Sequence, residues 1–158
     1  MNLSKNQQTI ILVIIAIIVI LAILVASGLI PLFHGIVNSS GSEIKGTGYG
    51  GSGEFNYSII GNVKHAYWEN IDYDVKVSYY DNNSKLVGTT TLKSSDIEKT
   101  QKKYNTVNQT LSKLTKNKLI FMKYAEIKLI DPANNTVVDT DNYTFNETVM
   151  KTFYDKFF

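Results

Sequence analysis

Asparagines that stand two positions before a serine or threonine are the residues with the clearest chemistry, because this pattern accepts an N-linked glycan. The 15 asparagines and 26 serines and threonines among 158 residues would produce about 2.5 such sequons by chance. Eight occur: Asn2 near the N-terminus, and Asn38, Asn56, Asn82, Asn108, Asn134, Asn142 and Asn146 further along. The excess favours a glycosylated surface protein, with an Asn/Thr-rich composition as the alternative. Asn108 is the weakest acceptor because it falls within a predicted helix.

Metal-binding and catalytic patterns are incomplete. Asp139 and Asp141 open a segment similar to the start of a calcium loop, but Thr144 replaces the glycine of its sixth position and Met150 the glutamate of its twelfth. His65 has no nearby histidine to share a metal or an acid-base role. The chain has no cysteine, which excludes disulfides, thiolate metal sites and a cysteine nucleophile. We therefore predict no catalytic residue, no metal and no cofactor, and hence no enzyme.

Aromatic side chains are the best candidates for non-covalent binding, since exposed rings stack on sugars or anchor protein partners. The candidates are Tyr67, Trp68, Tyr73 and Tyr80. Strand alternation buries about half of the aromatic residues in this region. Lysines and carboxylates are interspersed at a net charge of +2, which gives no single-sign field for nucleic acid. A cell-wall polymer or another envelope protein is the expected partner.

An apolar segment predicts how these residues are displayed. Residues 10–30 are apolar except Ser27 and Gly28, and as a helix they span about 30 Å of bilayer. Pro31 is the expected terminator. A cleaved signal peptide would have a shorter apolar region, although it remains the alternative. Lys5 precedes the segment and no lysine follows until Lys45, which predicts a cytoplasmic N-terminus and an external C-terminal domain at the cell membrane.

The rest of the chain divides by composition. Residues 1–9 form a short cytoplasmic head, and 10–30 the transmembrane helix in contact with the lipid bilayer. Residues 31–53 are rich in glycine and serine and predict a flexible tether. Residues 54–158 are predicted to form one extracytoplasmic domain of ordinary size.

Strand periodicity dominates this domain. Apolar residues alternate with polar ones in residues 54–59 and 74–79, residues 63–68, 85–92 and 119–130 also have strand composition, and a short strand is expected at 136–138. Residues 81–84 supply a polar turn between two strands. Ser95 with Glu98 is a capping-box pattern, and apolar positions spaced by three, four and seven follow it, so we predict a helix over residues 95–116. The tail, residues 145–158, is also predicted to be helical.

These elements predict an α+β protein: an N-terminal transmembrane helix followed by a small, mainly antiparallel β domain with one packing helix. The alternative is an all-β immunoglobulin-like sandwich. The choice between them depends on residues 94–118, because a strand there favours the sandwich.

Residues 73–89, which read YDVKVSYYDNNSKLVGT, combine an alternating strand, a polar turn and a Lys-apolar-apolar-Gly-Thr segment. This resembles the central hairpin of FxLYD-type domains, which are immunoglobulin-like sandwiches of prokaryotic surface proteins. Val77 and Tyr79 stand where that family has Phe and Leu. The overall layout is similar to small membrane-anchored surface proteins of low-GC methanogenic archaea. Neither resemblance implies a catalytic residue.

We therefore expect a membrane-anchored structural or binding module at the cell surface, without catalysis. A pilin-like filament subunit is one alternative, although no acidic residue stands early in the apolar segment. An envelope hydrolase is another, and it would require a convergent polar pocket.

Overall fold

The computed structural model describes residues 3–26, 34–65, 71–97 and 107–158. Helix α1 runs over Lys5–Ala26 and is long and apolar enough to cross a membrane. Ser4 and Gln7 cap its start reciprocally, since the Gln7 N–H donates to Ser4 Oγ and the Ser4 N–H donates to Gln7 Oε1. No residue of α1 is buried. Such a helix is compatible with a single-pass anchor or with a signal sequence. Its predicted end near residue 30, with Pro31, lies outside the described residues.

Two antiparallel sheets follow. The strands are β1 Ile36–Tyr49, β2 Ser52–Lys64, β3 Asp74–Asp81, β4 Leu86–Leu92, β5 Gln109–Lys118, β6 Met122–Asp131 and β7 Thr136–Thr144. The first sheet has the order β1-β2-β5 and the second the order β4-β3-β6-β7. A short 3-10 helix, Ser94–Asp96, precedes the undescribed residues 98–106, and helix α2, Glu147–Phe157, ends the chain. The α+β class with an antiparallel β domain is confirmed, and the two sheets have the layered arrangement of a β-sandwich.

The core lies between the sheets and consists of alternate strand residues. Phe55, Tyr57 and Ile59 of β2 face Val75, Val77 and Tyr79 of β3, and all six side chains are fully buried. This is the period-two burial that the sequence predicted for residues 54–59 and 74–79. The predicted hairpin is confirmed as well, because β3 and β4 pair on either side of a turn at Asn82 and Asn83.

The predicted helix over residues 95–116 is wrong where the structure describes it. Residues 109–116 belong to β5, and residues 98–106 lie outside the described range. A register shift explains the misleading pattern: Ile59 pairs with Ser112 and Ile60 with Thr110, so Leu111 is an extra residue on β5. This β-bulge allows Leu111 and Leu114, three residues apart, to be buried together. The spacing of three came from a bulge rather than from a helical turn.

The packing helix is instead the predicted tail helix. Asn146 caps α2 by accepting a hydrogen bond from the Val149 N–H at 3.1 Å. Phe153 and Phe157 then pack edge-on against Phe55, with ring centroids 6.3 and 5.2 Å away. These contacts place α2 across one end of the sandwich.

This end lies opposite the one where the chain enters. Strand β1 begins with Ile36 opposite Lys64 and finishes with Tyr49 opposite Ser52. Beyond Tyr49, the Gly51 N–H donates to the Phe157 carbonyl of α2 at 3.0 Å. We call the end formed by residues 49–52, residues 119–121 and α2 the distal end.

The predicted flexible tether over residues 31–53 is also wrong where it is described, because residues 36–49 form β1. Glycine serves packing here rather than flexibility. A Cβ atom on Gly46 would lie 2.4 Å from Cδ1 of Phe55, so the missing side chain leaves room for that ring. The domain therefore begins before residue 54, and its first strand replaces most of the tether.

Candidate functional site

The two aspartates of the supposed calcium loop hold the sheets together. Both lie on β7, where Asp139 Oδ2 accepts the Val37 N–H at 2.8 Å and Asp141 Oδ2 accepts the Ser39 N–H at 2.6 Å. Ser39 Oγ donates to the same Asp141 oxygen at 2.6 Å. We call this contact between β1 and β7 the seam. It satisfies backbone donors on the outer edge of β1, where a neighbouring strand would otherwise bind.

The seam uses Oδ2 of each carboxylate as a hydrogen-bond acceptor for β1. Tyr143, two residues after Asp141 on the same side of β7, extends the seam through a 3.0 Å hydrogen bond between its hydroxyl and Ser42 Oγ. Among the described residues, no group of three His, Cys, Asp or Glu side chains could hold a metal ion.

The aromatic binding candidates separate into three groups. Tyr67 and Trp68 lie outside the described residues. Tyr73 is 1% exposed, and its hydroxyl accepts the Gly35 N–H at 3.1 Å, so it belongs to the core. Tyr80 is half-buried on the outer face of the second sheet. Of the described candidates, only Tyr80 presents its ring at the surface.

Tyr80 forms part of a line of residues that crosses the second sheet. Its ring stacks on Tyr124, with centroids 4.6 Å apart and planes inclined by 13°. Leu86 of β4 pairs with Tyr80, and Thr144 of β7 pairs with Tyr124. We call Leu86, Tyr80, Tyr124 and Thr144 the ring row. Sequence reasoning missed Tyr124, because only the pairing register of β3 with β6 places it beside Tyr80.

Polar and charged residues continue this face toward the chain entry. Glu126 pairs with Asn142 in the register, and the carboxylate of Glu126 contacts Lys128 Nζ at 2.7 Å. The hydrogen bond and the charge of Glu126 raise the pKa of Lys128. On the other side, Ser78 and Thr89 hydroxyls are 3.1 Å apart. The face thus combines a ring edge, a carboxylate, hydroxyls, an amide and a cation, which are the groups that recognise polyhydroxylated molecules.

Among the described residues, the outer face of the first sheet is polar and carries no ring pair. It carries a shallow groove of about 190 Å³ lined by Glu43, Lys45, Asn56, Ser58, Thr110 and Lys113. Its charged side chains partly neutralise each other, since Lys45 and Glu43 form an exposed ion pair at 2.8 Å. Such exposed pairs contribute little to stability.

The predicted acceptor asparagines lie in different surroundings. Asn56 is half-buried, its Nδ2 donates to Glu54 at 3.1 Å, and its Oδ1 accepts from Thr115 Oγ1 at 2.6 Å. Both ends of this amide are therefore occupied. Asn108 is exposed just before β5 rather than within a helix, and its Oδ1 accepts from Asn62 at 2.9 Å.

The remaining sequons are distributed around the domain. Asn82 and Asn134 are exposed in turns, Asn146 is the exposed cap of α2, and Asn38 is half-buried on β1. Asn142 is exposed on the outer face of β7, and within the described chain its side-chain amide has no hydrogen-bond partner.

The distal end has an apolar surface of its own. Along α2, a cavity of about 310 Å³ is lined by Thr148, Val149, Thr152, Phe153 and Lys156. Val149 is 56% exposed and Phe158 67%, while Tyr49 at the tip of the first hairpin is 93% exposed. The end farthest from the chain entry thus presents several large apolar side chains.

Two tyrosines are buried with their hydroxyls engaged. Tyr57 donates to the Ile120 carbonyl at 3.0 Å and accepts the Ile120 N–H at 2.8 Å. Tyr79 contacts Ser112 Oγ and donates to the Tyr57 carbonyl at 3.2 Å. Burial raises the pKa of each phenol to about 12. At neutral pH both remain protonated and serve as structural hydrogen-bond donors.

No protein-family model matches the chain, and no curated protein matches it. The solved structures that match include bacterial β-glucuronidases. A Bacteroides uniformis β-glucuronidase matches with TM-score 0.41 and 14% identity, over 70% of this chain and 14% of that enzyme. A Parabacteroides merdae β-glucuronidase matches with TM-score 0.43 and 16% identity, over 70% and 13%. Bacteroides uniformis β-glucuronidase 2 matches with TM-score 0.44 and 18% identity, over 70% and 14%. The chain spans about one seventh of these enzymes' length, and likeness at this level carries no functional argument.

Proposed function

We propose that this protein is a glycosylated, non-catalytic module displayed at the cell surface by α1, with its N-terminus in the cytoplasm. The observation that carries the proposal is α1 itself, which has 22 residues, no acidic residue in its first turn and no buried side chain. A helix this apolar, none of whose residues is buried in the structure, needs another apolar environment. A bilayer provides it.

The polar groups of the domain support a structural rather than a catalytic role. Asp139 and Asp141 accept backbone N–H groups across the seam, and Asp74 accepts the Ser94 N–H at 2.9 Å. The buried Tyr57 and Tyr79 hydroxyls are also engaged. These five polar groups are thus engaged in holding the sandwich together.

The distal end supports contact with a neighbouring envelope protein, and a cell-wall polymer is the alternative partner. With α1 in the bilayer, Tyr49, Val149 and Phe158 lie at the end opposite the chain entry. Exposed aromatic and aliphatic side chains grouped in this way are typical of protein contact surfaces. A photo-reactive residue at position 49 should cross-link to an envelope protein in living cells, whereas one at the exposed Asn134, at the entry end, should not.

The anchoring is tested on the native protein in whole cells. Added protease should digest the domain, leave an epitope tag at the N-terminus intact, and leave a membrane fragment that contains residues 5–26. The intact mass before digestion should equal the full chain plus glycan. A chain that begins after residue 26 would show that α1 is a removed signal, and a domain protected from protease in intact cells would refute surface display.

A further inference from the structure

The sequon at Asn142 lies beside the ring row. Asn142 pairs with Glu126, and Thr144, the hydroxyl residue of the same sequon, pairs with Tyr124. Asn142 and Tyr124 are therefore diagonal neighbours on one face, a separation of about 7–8 Å that long groups bridge. Asn142 is exposed. Its backbone N–H donates to Asp141, but its side-chain amide makes no hydrogen bond to any of the described residues. A sugar attached there would begin within reach of the Tyr124 ring.

The stacking geometry shows which face of that ring is open. The 4.6 Å separation of the Tyr80 and Tyr124 centroids is close to the spacing of neighbouring strands, about 4.8 Å. Both rings therefore stand up from the sheet with their faces directed along the sheet from strand to strand. Tyr80 covers one face of Tyr124. The other face is directed toward β7, where the cross-strand neighbour is the short, exposed Thr144.

We propose that Asn142 carries an N-linked glycan whose first sugar packs on this open face of Tyr124, above Thr144. The inference rests on the surface display proposed above. In the transfer step a bond forms between Asn142 Nδ2 and the anomeric carbon of a phosphate-linked saccharide donor. The bond from that carbon to the phosphate oxygen breaks, the phosphate leaves with the electron pair, and Nδ2 loses one proton.

The face suits a sugar ring on chemical grounds. The face of an aromatic ring is electron-rich and attracts the weakly positive C–H groups of a pyranose. Glu126, directly opposite Asn142, carries a carboxylate that can accept hydrogen bonds from sugar hydroxyls beyond its contact with Lys128. The ring row thus supplies an apolar side and a polar side to the same sugar.

Two other sequons lack this arrangement. Asn56 has both ends of its amide occupied, and Asn134 lies in the turn between β6 and β7, at the end of the sheet away from the ring row. Asn134 is therefore the matched control: an exposed sequon without an aromatic neighbour on the same face.

The first test is glycopeptide mass spectrometry on the full chain from its native membranes. Trypsin releases residues 129–151 as one peptide with three sequons, so electron-transfer fragmentation is needed to locate the sugar. Glycan on Asn142 is expected. An unmodified Asn142 overturns this inference. It does not affect the proposed anchoring, which the protease experiment tests separately.

The second test measures coupling between the glycan and the ring. Asn142→Gln should lower the Tm of the domain by about 3 °C when Tyr124 is present and by less than about 1 °C in a Tyr124→Leu background. Tyr124→Phe keeps the ring and should restore the larger shift. Asn134→Gln should shift the Tm equally in all three backgrounds. Equal shifts for Asn142→Gln, with Asn142 glycosylated, would overturn the packing while leaving the modification in place.

The same variants made in cells that lack N-glycosylation separate the glycan from the amide. In those cells, Asn142→Gln should change the Tm by the same amount whether position 124 is Tyr, Phe or Leu. A dependence that persists without glycan would assign the coupling to the asparagine side chain itself and would contradict the proposal.

Discussion

Strands β1 and β2 pair along almost their whole length, yet different forces hold them in the sandwich. Strand β2 contributes three fully buried side chains, Phe55, Tyr57 and Ile59. Among the hydrophobic side chains of β1, Val37 alone is fully buried, and Ile44 is partly buried. Strand β2 is fixed by burial of apolar area. Strand β1 is fixed by backbone pairing on one side and by the carboxylates of the seam on the other.

The difference shows that a glycine-rich segment forms a strand when neighbouring residues pack against it and accept its hydrogen bonds. Gly46 leaves room for Phe55, and Asp139 and Asp141 accept the outer N–H groups of Val37 and Ser39. Glycine in a strand is entropically costly, so β1 depends on groups that come from elsewhere in the chain. Substitutions in β2 should therefore destabilise the whole domain strongly, whereas substitutions that affect β1 should have smaller and more local effects.

Phe55→Ala should have the largest effect, because it removes a fully buried ring that also packs against α2. We expect a loss of about 3–5 kcal/mol in the free energy of unfolding. Denaturant unfolding of the full chain in detergent, followed by near-UV circular dichroism, measures it. The exposed neighbour Glu54→Ala is the control, and a loss below about 1 kcal/mol for Phe55→Ala would contradict the assignment of β2 to the core.

Gly46→Val tests whether the aromatic rings of neighbouring elements pack against the backbone of β1. The new Cβ would lie 2.4 Å from Phe55 and 3.2 Å from Phe153, so the rings must move, at a cost of about 2–3 kcal/mol. Gly41→Ala, where a Cβ meets nothing within 4 Å, is the matched control and should be nearly neutral. Combining Gly46→Val with Phe55→Leu should recover part of the loss. Equal effects at positions 41 and 46 would show that β1 is not packed as described.

Asp141→Ala tests the seam and should cost about 1–2 kcal/mol, since charged hydrogen bonds to Ser39 are lost at a half-exposed site. The effect should be local to β1. Hydrogen exchange is expected to quicken at the Ser39 amide while the β3 amides opposite β6 stay protected. Thr140→Ala, exposed on the same strand, is the control. A change spread evenly over both sheets would argue against a specific clamp on β1.

The sequence predicts the elements in which apolar and polar residues alternate. Strands β2, β3, β4 and β6 were expected near their observed positions, and so was the tail helix. Strand β7 was predicted to end at residue 138 but continues to Thr144. Its inward side carries Asp139 and Asp141, which bond to β1, and Tyr143, which bonds to Ser42 and also packs against the core. The two carboxylates interrupt the hydrophobic alternation that would have marked the strand.

The surface features depend on register, which the sequence alone does not provide. Tyr80 was a candidate because of its residue type. Its stacking partner Tyr124 is identified only by the register in which β3 pairs with β6. Tyr73 was a candidate of the same type and is buried against Gly35. Alternation separates inner from outer positions within one strand, whereas pairing decides which outer residues of different strands meet.

Tyr57→Phe gives the smallest effect, and its size depends on pH. The substitution leaves both backbone groups of Ile120 without the phenol, at a cost of about 1 kcal/mol at neutral pH.

Burial raises the pKa of Tyr57 in the folded chain to about 12, from 10.0. The unfolded chain therefore loses this proton first. The contribution of the phenol is complete below about pH 10 and is lost as the pH rises toward 12. The difference in unfolding free energy between the wild-type protein and Tyr57→Phe should thus narrow over that range. Tyr49→Phe at the exposed tip should produce no such trend. A constant difference from pH 9 to 12 would mean that Tyr57 of β2 is as open to water as the tip of β1.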